Sequence, residues 1–300
     1  MIEPPIVTID RGTGPPVLLL HGQPGDGASW GRVVDRLADR HRVLAPDRPG
    51  YGTTTLEASG MVANADRMAE LLRDLGATPA TVVGHSWSGG VAVLLAARHP
   101  DVVRSLVLVG AVGTPDSVNG LDRLLAADRV GEWLTVAGLA GIGVVLPRVR
   151  VGVVAARRTL RGRRSGATGA GRVDRALGYL AATLPDEVVP EGWAGVRGRS
   201  LRTFVVEQRA LMAELPDVTS RLGDLTVPVV VVVGEWDVVV PPTAARSLAR
   251  AVPGAELIRV PGVGHFVARD APDRLAEVIG ATDARGNARG AAAPEAPSGP

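Results

Sequence analysis

Apolar positions in this chain fall into two kinds of run that take turns along its first third. One kind is short and apolar on both faces, as in Pro16-Val17-Leu18-Leu19-Leu20-His21. That pattern suits a strand buried between layers of helix. The other kind is longer, with apolar residues at helical spacing, such as Met68, Leu71, Leu72 and Leu75 within 62–75, which stops at Gly76. Strands are expected at 5–10, 16–21, 42–46, 80–85 and 102–109, and helices at 29–40, 62–75 and 87–99, with Ser29 as an N-cap. Alternation of this kind predicts an α/β fold with a doubly wound, mostly parallel sheet.

Near Gly113 the alternation stops. Residues 114–224 carry helical periodicities and no strand, and the sheet pattern returns at Pro228-Val229-Val230-Val231-Val232-Val233-Gly234. A helix 243–251, a strand 255–260 and a helix 271–280 follow. The expected organisation is therefore a core formed by 1–112 and 226–280, with a helical cap, 113–225, inserted between two strands. Residues 281–300 are rich in Ala, Gly and Pro and are expected to be disordered.

Composition narrows the classes. The 300 residues are 46% hydrophobic and 21% charged, which is the balance of a soluble globular chain. There is no cysteine, so disulfides, thiolate catalysis and Cys-ligated zinc are all excluded. Every basic residue is Arg and the net charge is only +2, so the pI near 9.8 reflects that choice and not a nucleic-acid-binding surface. The N-terminus lacks a basic start and an apolar run, so no secretory signal is expected and a cytoplasmic location is the default. The longest uncharged apolar run, about 134–147, falls short of the ~20 residues of a membrane span. Nine arginines between 148 and 175 face a single acid, Asp174. Such a segment reads as a solvated basic loop, or as an attraction for an anionic substrate or carrier.

The candidate chemistry centres on Val82-Val83-Gly84-His85-Ser86-Trp87-Ser88-Gly89-Gly90. A serine on a sharp strand-to-helix turn has its hydroxyl pushed out of the sheet, with backbone N–H groups at the helix start facing it. Taken alone, the stretch reads equally well as a glycine-rich turn with a serine helix cap. A serine nucleophile needs a base, and the base an orienting acid. Of five histidines, His21 belongs to a strand-ending turn with a structural role, and His41 and His99 lie in polar settings expected to be solvated. His85 neighbours Ser86 and points to the other face. His265, in Val260-Pro261-Gly262-Val263-Gly264-His265-Phe266, follows a strand and lies at the same sheet end as Ser86. Asp237 also follows a strand, with Glu235 and Asp116 as competitors for the acid.

Together these pieces resemble the α/β-hydrolase family over residues 5–112 and 226–280. Gly84-His85-Ser86-Trp87 is similar to its nucleophile elbow, His21-Gly22-Gln23-Pro24 to its oxyanion loop, and Asp47-Arg48-Pro49-Gly50-Tyr51-Gly52 to the loop after its next strand. The resemblance implies a triad of Ser86, Asp237 and His265, with the oxyanion held by the backbone N–H groups of Gln23 and Trp87. Ser88 departs from the motif, which has glycine there, and a serine adds one small hydroxyl that the turn should tolerate. Haloalkane dehalogenases and epoxide hydrolases, which share these loops, use Asp where this chain has Ser86, and Tyr179 is the one tyrosine in the insertion.

The resulting expectation is a serine hydrolase for an ester, lactone or thioester of a mid-sized apolar small molecule, working through an acyl-enzyme without metal or organic cofactor. Trp30 and Phe266 are candidate pocket walls, although core packing would equally explain Trp30. A C–C bond hydrolase, a cofactor-free perhydrolase or a biosynthetic cyclase could use the same triad. In a different class, the chain could be a catalytically silent binding protein on this fold.

Overall fold

A computed structural model describes residues 7–127 and 199–291. Its sheet has the strand order β1-β3-β2-β4-β5-β6-β7, formed by Val7–Arg11 (β1), Pro16–Leu20 (β2), Arg42–Pro46 (β3), Ala80–His85 (β4), Val103–Val109 (β5), Val229–Gly234 (β6) and Glu256–Val260 (β7). Only β1 runs antiparallel to its neighbour; every other pair is parallel. The doubly wound sheet expected from the alternating runs is present.

The continuous apolar runs become two cores because successive side chains on a strand face opposite ways. Leu18, Leu20, Val82, Leu106, Val231 and Val233 enter one core, under α2 (Met61–Asp74) and α3 (Ser88–Arg98). Val17, Leu19, Val83, Val107, Val230 and Val232 enter the other. That second core is closed by α1 (Gly31–Leu37) and by the C-terminal helix Pro272–Ala291.

Between β5 and β6, the described elements of the insertion are a 3-10 turn at Pro115–Ser117, α4 (Gly120–Ala126), α5 (Arg199–Ser220) and a 3-10 turn at Leu222–Asp224. Asn119 and Asp122 form a capping box at the start of α4. The arginine-rich stretch 148–175 and Tyr179 lie outside the described residues. After β6 come α6 (Pro242–Ala251), the short α7 (Val267–Asp270) and the C-terminal helix, α8.

Four expectations need correction. The first helix is capped by Asp26, whose carboxylate accepts from Ser29 N–H at 3.1 Å, and a 3-10 turn, Gly27–Trp30, precedes α1. The last helix does not stop at 280 but continues to Ala291, because Thr282 and Asp283 are buried against the sheet. His41 is buried, with its Nε2 3.7 Å from Asp283, and His99 pairs with Asp66 at 2.7 Å, so neither is simply solvated. Among the described residues, no helix is long and apolar enough to cross a membrane, and no cluster of His, Asp and Glu could hold a metal ion.

Candidate active site

Ser86 follows β4 and has φ of +56°, the one positive φ at a non-glycine among the described residues. That conformation is strained for an L-residue and persists only where its surroundings enforce it. Here Ser86 N–H donates to Val109 O at 3.0 Å, and Ser86 O accepts from Gly89 N–H (2.9 Å) and Val112 N–H (3.0 Å). The glycines around it permit the close approach of α3. A Cβ on Gly84 would stand 2.5 Å from Ser88 O, and one on Gly89 would stand 2.4 Å from the Ala111 Cβ.

The acid and the histidine come from loops after β6 and β7. His265 Nδ1 lies 2.8 Å from Asp237 Oδ2, and both side chains are buried. Asp237 Oδ1 accepts from the N–H groups of Val239 and Val240, each at 2.9 Å. With its carboxylate held this way, Asp237 accepts a hydrogen bond from His265 Nδ1–H, which in the neutral ring leaves Nε2 as the acceptor nitrogen. The competing acids are engaged elsewhere: Glu235 accepts from Gly262 N–H and Asp116 from the Ser247 hydroxyl. The Asp–His pair sits against the end of β5. A Cβ on Gly110 would stand 2.9 Å from Asp237 Oδ2 and 3.1 Å from His265 Nδ1. Since the preceding residue, Val109, holds the Ser86 backbone, Ser86 and the pair flank one strand end.

His85 lies beside them. Its Nε2–H donates to His265 O at 3.1 Å, and its ring is 4.8 Å from that of His265. Burial, and then the His265 charge, push its pKa down to about 3, so it stays neutral next to His265.

The loop after β2 crosses directly over Ser86: a Cβ on Gly22 would stand 3.1 Å from the Ser86 Cβ and 2.9 Å from His85 Nδ1. His21, as expected, is structural. Arg48 N–H donates to its Nε2 at 3.0 Å, and its Nδ1–H donates to Gly22 O at 2.9 Å, which fixes the neutral tautomer. Burial first, and the nearby Arg48 charge second, lower its pKa to about 3. Ser88 is fully buried, and its hydroxyl donates to His21 O at 2.5 Å, so the departure from glycine adds a tie to this loop. Among the described residues the N–H groups of Gln23 and Trp87 have no acceptor.

The two candidate wall residues differ. Phe266 is part-exposed, 5.5 Å from the His265 ring and 6.3 Å from that of His85. Trp30 is buried in the second core with Val33, Val34 and Val267, edge-on to His85, which is the packing role. Trp87 is buried as well. Its indole N–H donates to Glu207 O at 3.0 Å, and the Arg48 guanidinium lies 4.6 Å from its ring centroid.

Glu207 of α5 is the residue that the sequence reading missed. Its carboxylate is completely buried, ion-paired with Arg48 and accepting from Tyr51 Oη–H at 2.7 Å. Burial raises its pKa against the opposing effect of Arg48. The signal was available, because Glu207 sits on the buried stripe Thr203, Glu207, Leu211, Leu215, at the four-residue spacing of a core face.

A family profile described as the alpha/beta hydrolase family matches residues 17–278. An uncharacterized protein of Mycobacterium tuberculosis is 34% identical over 270 residues, covering 89% of this chain and 75% of that one. A 2-(acetamidomethylene)succinate hydrolase of Mesorhizobium japonicum is 28% identical over 278 residues, covering 90% and 88%. Among solved structures, a thermophilic esterase from Thermogutta terrifontis superposes with a TM-score of 0.67 at 26% identity, covering 91% of this chain and 90% of the esterase. On the sheet order, the elbow at Ser86 and a match spanning most of its length, this chain belongs to the alpha/beta hydrolase family.

Proposed function

We propose that this protein is a serine hydrolase that cleaves a carboxylic ester, lactone or thioester of an apolar acyl substrate through an acyl-enzyme on Ser86. The observation that carries the reading is the strained Ser86 beside the buried His265–Asp237 pair, which is hydrogen-bonded through Nδ1. His265 takes the Ser86 hydroxyl proton as the oxygen attacks the acyl carbonyl, and then returns it to the leaving group. Asp237 holds the ring and balances the imidazolium. The tetrahedral oxyanion meets the N–H groups of Gln23 and Trp87, where one donor is worth about 10²–10³ in rate. Water, activated by the same imidazole, then hydrolyses the acyl-enzyme.

An apolar substrate fits the residues at this end of the sheet. Phe266, Val238 and Val239 expose 39%, 46% and 49% of their surface beside the Asp237 and His265 loops. The likeness to an esterase supports the same class.

A fluorophosphonate probe tests the nucleophile. We expect the parent to be labelled and to hydrolyse p-nitrophenyl esters, and Ser86→Ala to lose both, with kcat reduced by about 10³-fold or more. Turnover retained in Ser86→Ala would overturn the assignment. A panel of esters, lactones, thioesters, amides and dienone acids then sets the bond cleaved.

A further inference from the structure

Gln23 and Trp87, the two residues whose N–H groups face the proposed oxyanion, both hang on one turn of α5. The Gln23 side-chain amide donates to Phe204 O at 2.9 Å, and the Trp87 indole donates to Glu207 O at 3.0 Å. Between them lies Arg48, fully buried, with its guanidinium spread over three acceptors. Nε donates to His21 O at 3.0 Å, Nη2 donates to Gly22 O at 3.0 Å, and Nη1 pairs with the Glu207 carboxylate. Tyr51 and Trp87 present ring faces to the same cation at 5.1 and 4.6 Å.

The contact with Gly22 O has a geometric consequence. A trans peptide is planar, so its C=O and the N–H of the next residue point in opposite directions. With Gly22 O turned to Arg48 and to the His21 ring, the Gln23 N–H is turned away from them, in a loop whose Gly22 rests on Ser86. A cation on that oxygen also polarises the peptide and strengthens its N–H as a donor. Burying an arginine is costly unless it is paired, and Glu207 is the pair.

We infer that Arg48, clamped by Glu207 of α5, is a positioning residue for the oxyanion hole: it sets the Gly22–Gln23 peptide plane that aims the Gln23 N–H. The inference rests on the serine-hydrolase reading and deepens it. Arg48 does not touch the reacting atoms; it acts through one peptide group. Its loss therefore weakens transition-state binding and leaves ground-state binding alone.

The test compares the parent with Arg48→Met and Arg48→Lys on p-nitrophenyl butanoate. A trifluoromethyl ketone, which forms a tetrahedral adduct on serine, serves as the second probe. Arg48→Met is expected to lower kcat by about 10- to 100-fold, less than deletion of a whole donor, and to weaken the ketone by the same factor while KM changes by less than about threefold. Arg48→Lys keeps the charge but lacks the fork needed to reach Gly22 O, His21 O and Glu207 together, so an intermediate loss is expected. A folded Arg48→Met variant with kcat and ketone affinity within about threefold of the parent would overturn the inference.

If Arg48→Met does not fold, the double variant Arg48→Met/Glu207→Met carries the test, since replacing both members of a buried pair is often neutral for stability. It is expected to fold and keep the kcat loss; parental kcat in it overturns the inference. A parent that the fluorophosphonate fails to label removes the serine-hydrolase reading and this inference together. A labelled parent with unimpaired Arg48 variants removes this inference alone.

Discussion

His21 is a buried imidazole and His85 a half-buried one within the site region, and each is held neutral with a pKa of about 3. In the unfolded chain both would titrate near ~6.5. As pH falls below that value, the unfolded chain binds protons that the folded chain refuses. The stability these groups confer is complete above ~6.5 and is lost progressively toward pH 3. The urea midpoint should fall steadily between pH 7 and 4, and His85→Gln should flatten that slope; an unchanged slope would count against a neutral His85. The residues that hold the proposed chemistry were legible because each lies on a glycine-bearing loop just after an apolar run: Ser86 after β4, Asp237 after β6, His265 after β7. The groups that hold those residues were not. Arg48 lies in a loop that resembles the family's only as a connection after β3, and nothing in its neighbourhood reveals a buried cation.

At the scale of elements, α5 does more than cover the sheet. Glu214, two turns beyond Glu207, reaches the start of α2. Its Oε2 accepts from Met61 N–H at 2.5 Å and Val62 N–H at 3.1 Å, and a Cβ on Gly60 would strike its carboxylate. The α2 N-cap, Gly60, has no side chain to satisfy these donors, so a carboxylate from another helix does, with the favourable end of the helix dipole behind it. Glu214→Gln should cost about 1 kcal/mol in urea unfolding, since it weakens the cap and removes the charge. A change within about 0.3 kcal/mol would show the cap to be idle. Charged residues in helices ordinarily read as a solvated face, and for Glu214 the sequence offers no contrary sign. The ends of helices were also harder to read than their existence, as Asp26 and the long C-terminal helix show.

Across the whole molecule, that last helix ties the bottom of the sheet together. Asp283 accepts from Thr81 Oγ1 and from Arg104, both at 2.7 Å, and from the Asn287 amide at 2.9 Å. Burial alone would raise its pKa, but the nearby His41 and the bonds from Thr81 and Arg104 outweigh it and hold the carboxyl near 2. The Ala- and Gly-rich composition after 280 concealed this network, because one acid among small residues carries no periodic signal. A chain ending at Gly280 would leave Arg104 and Thr81 facing a vacated site. It should lose about 3 kcal/mol or more of stability by calorimetry or urea unfolding, and a loss below about 0.5 kcal/mol would mean that the added turns are ornamental. The Arg48–Glu207 pair has a different kind of consequence, for how such a protein can be recombined. Half of the pair is encoded in the loop after β3 and the other half in the segment between β5 and β6. A chimera that imports a foreign segment between those strands inherits a buried guanidinium with no counter-charge unless an acid arrives at the matching helical position. Core and insertion are therefore one unit of exchange, and a library that shuffles them should recover active clones chiefly where the two travel together.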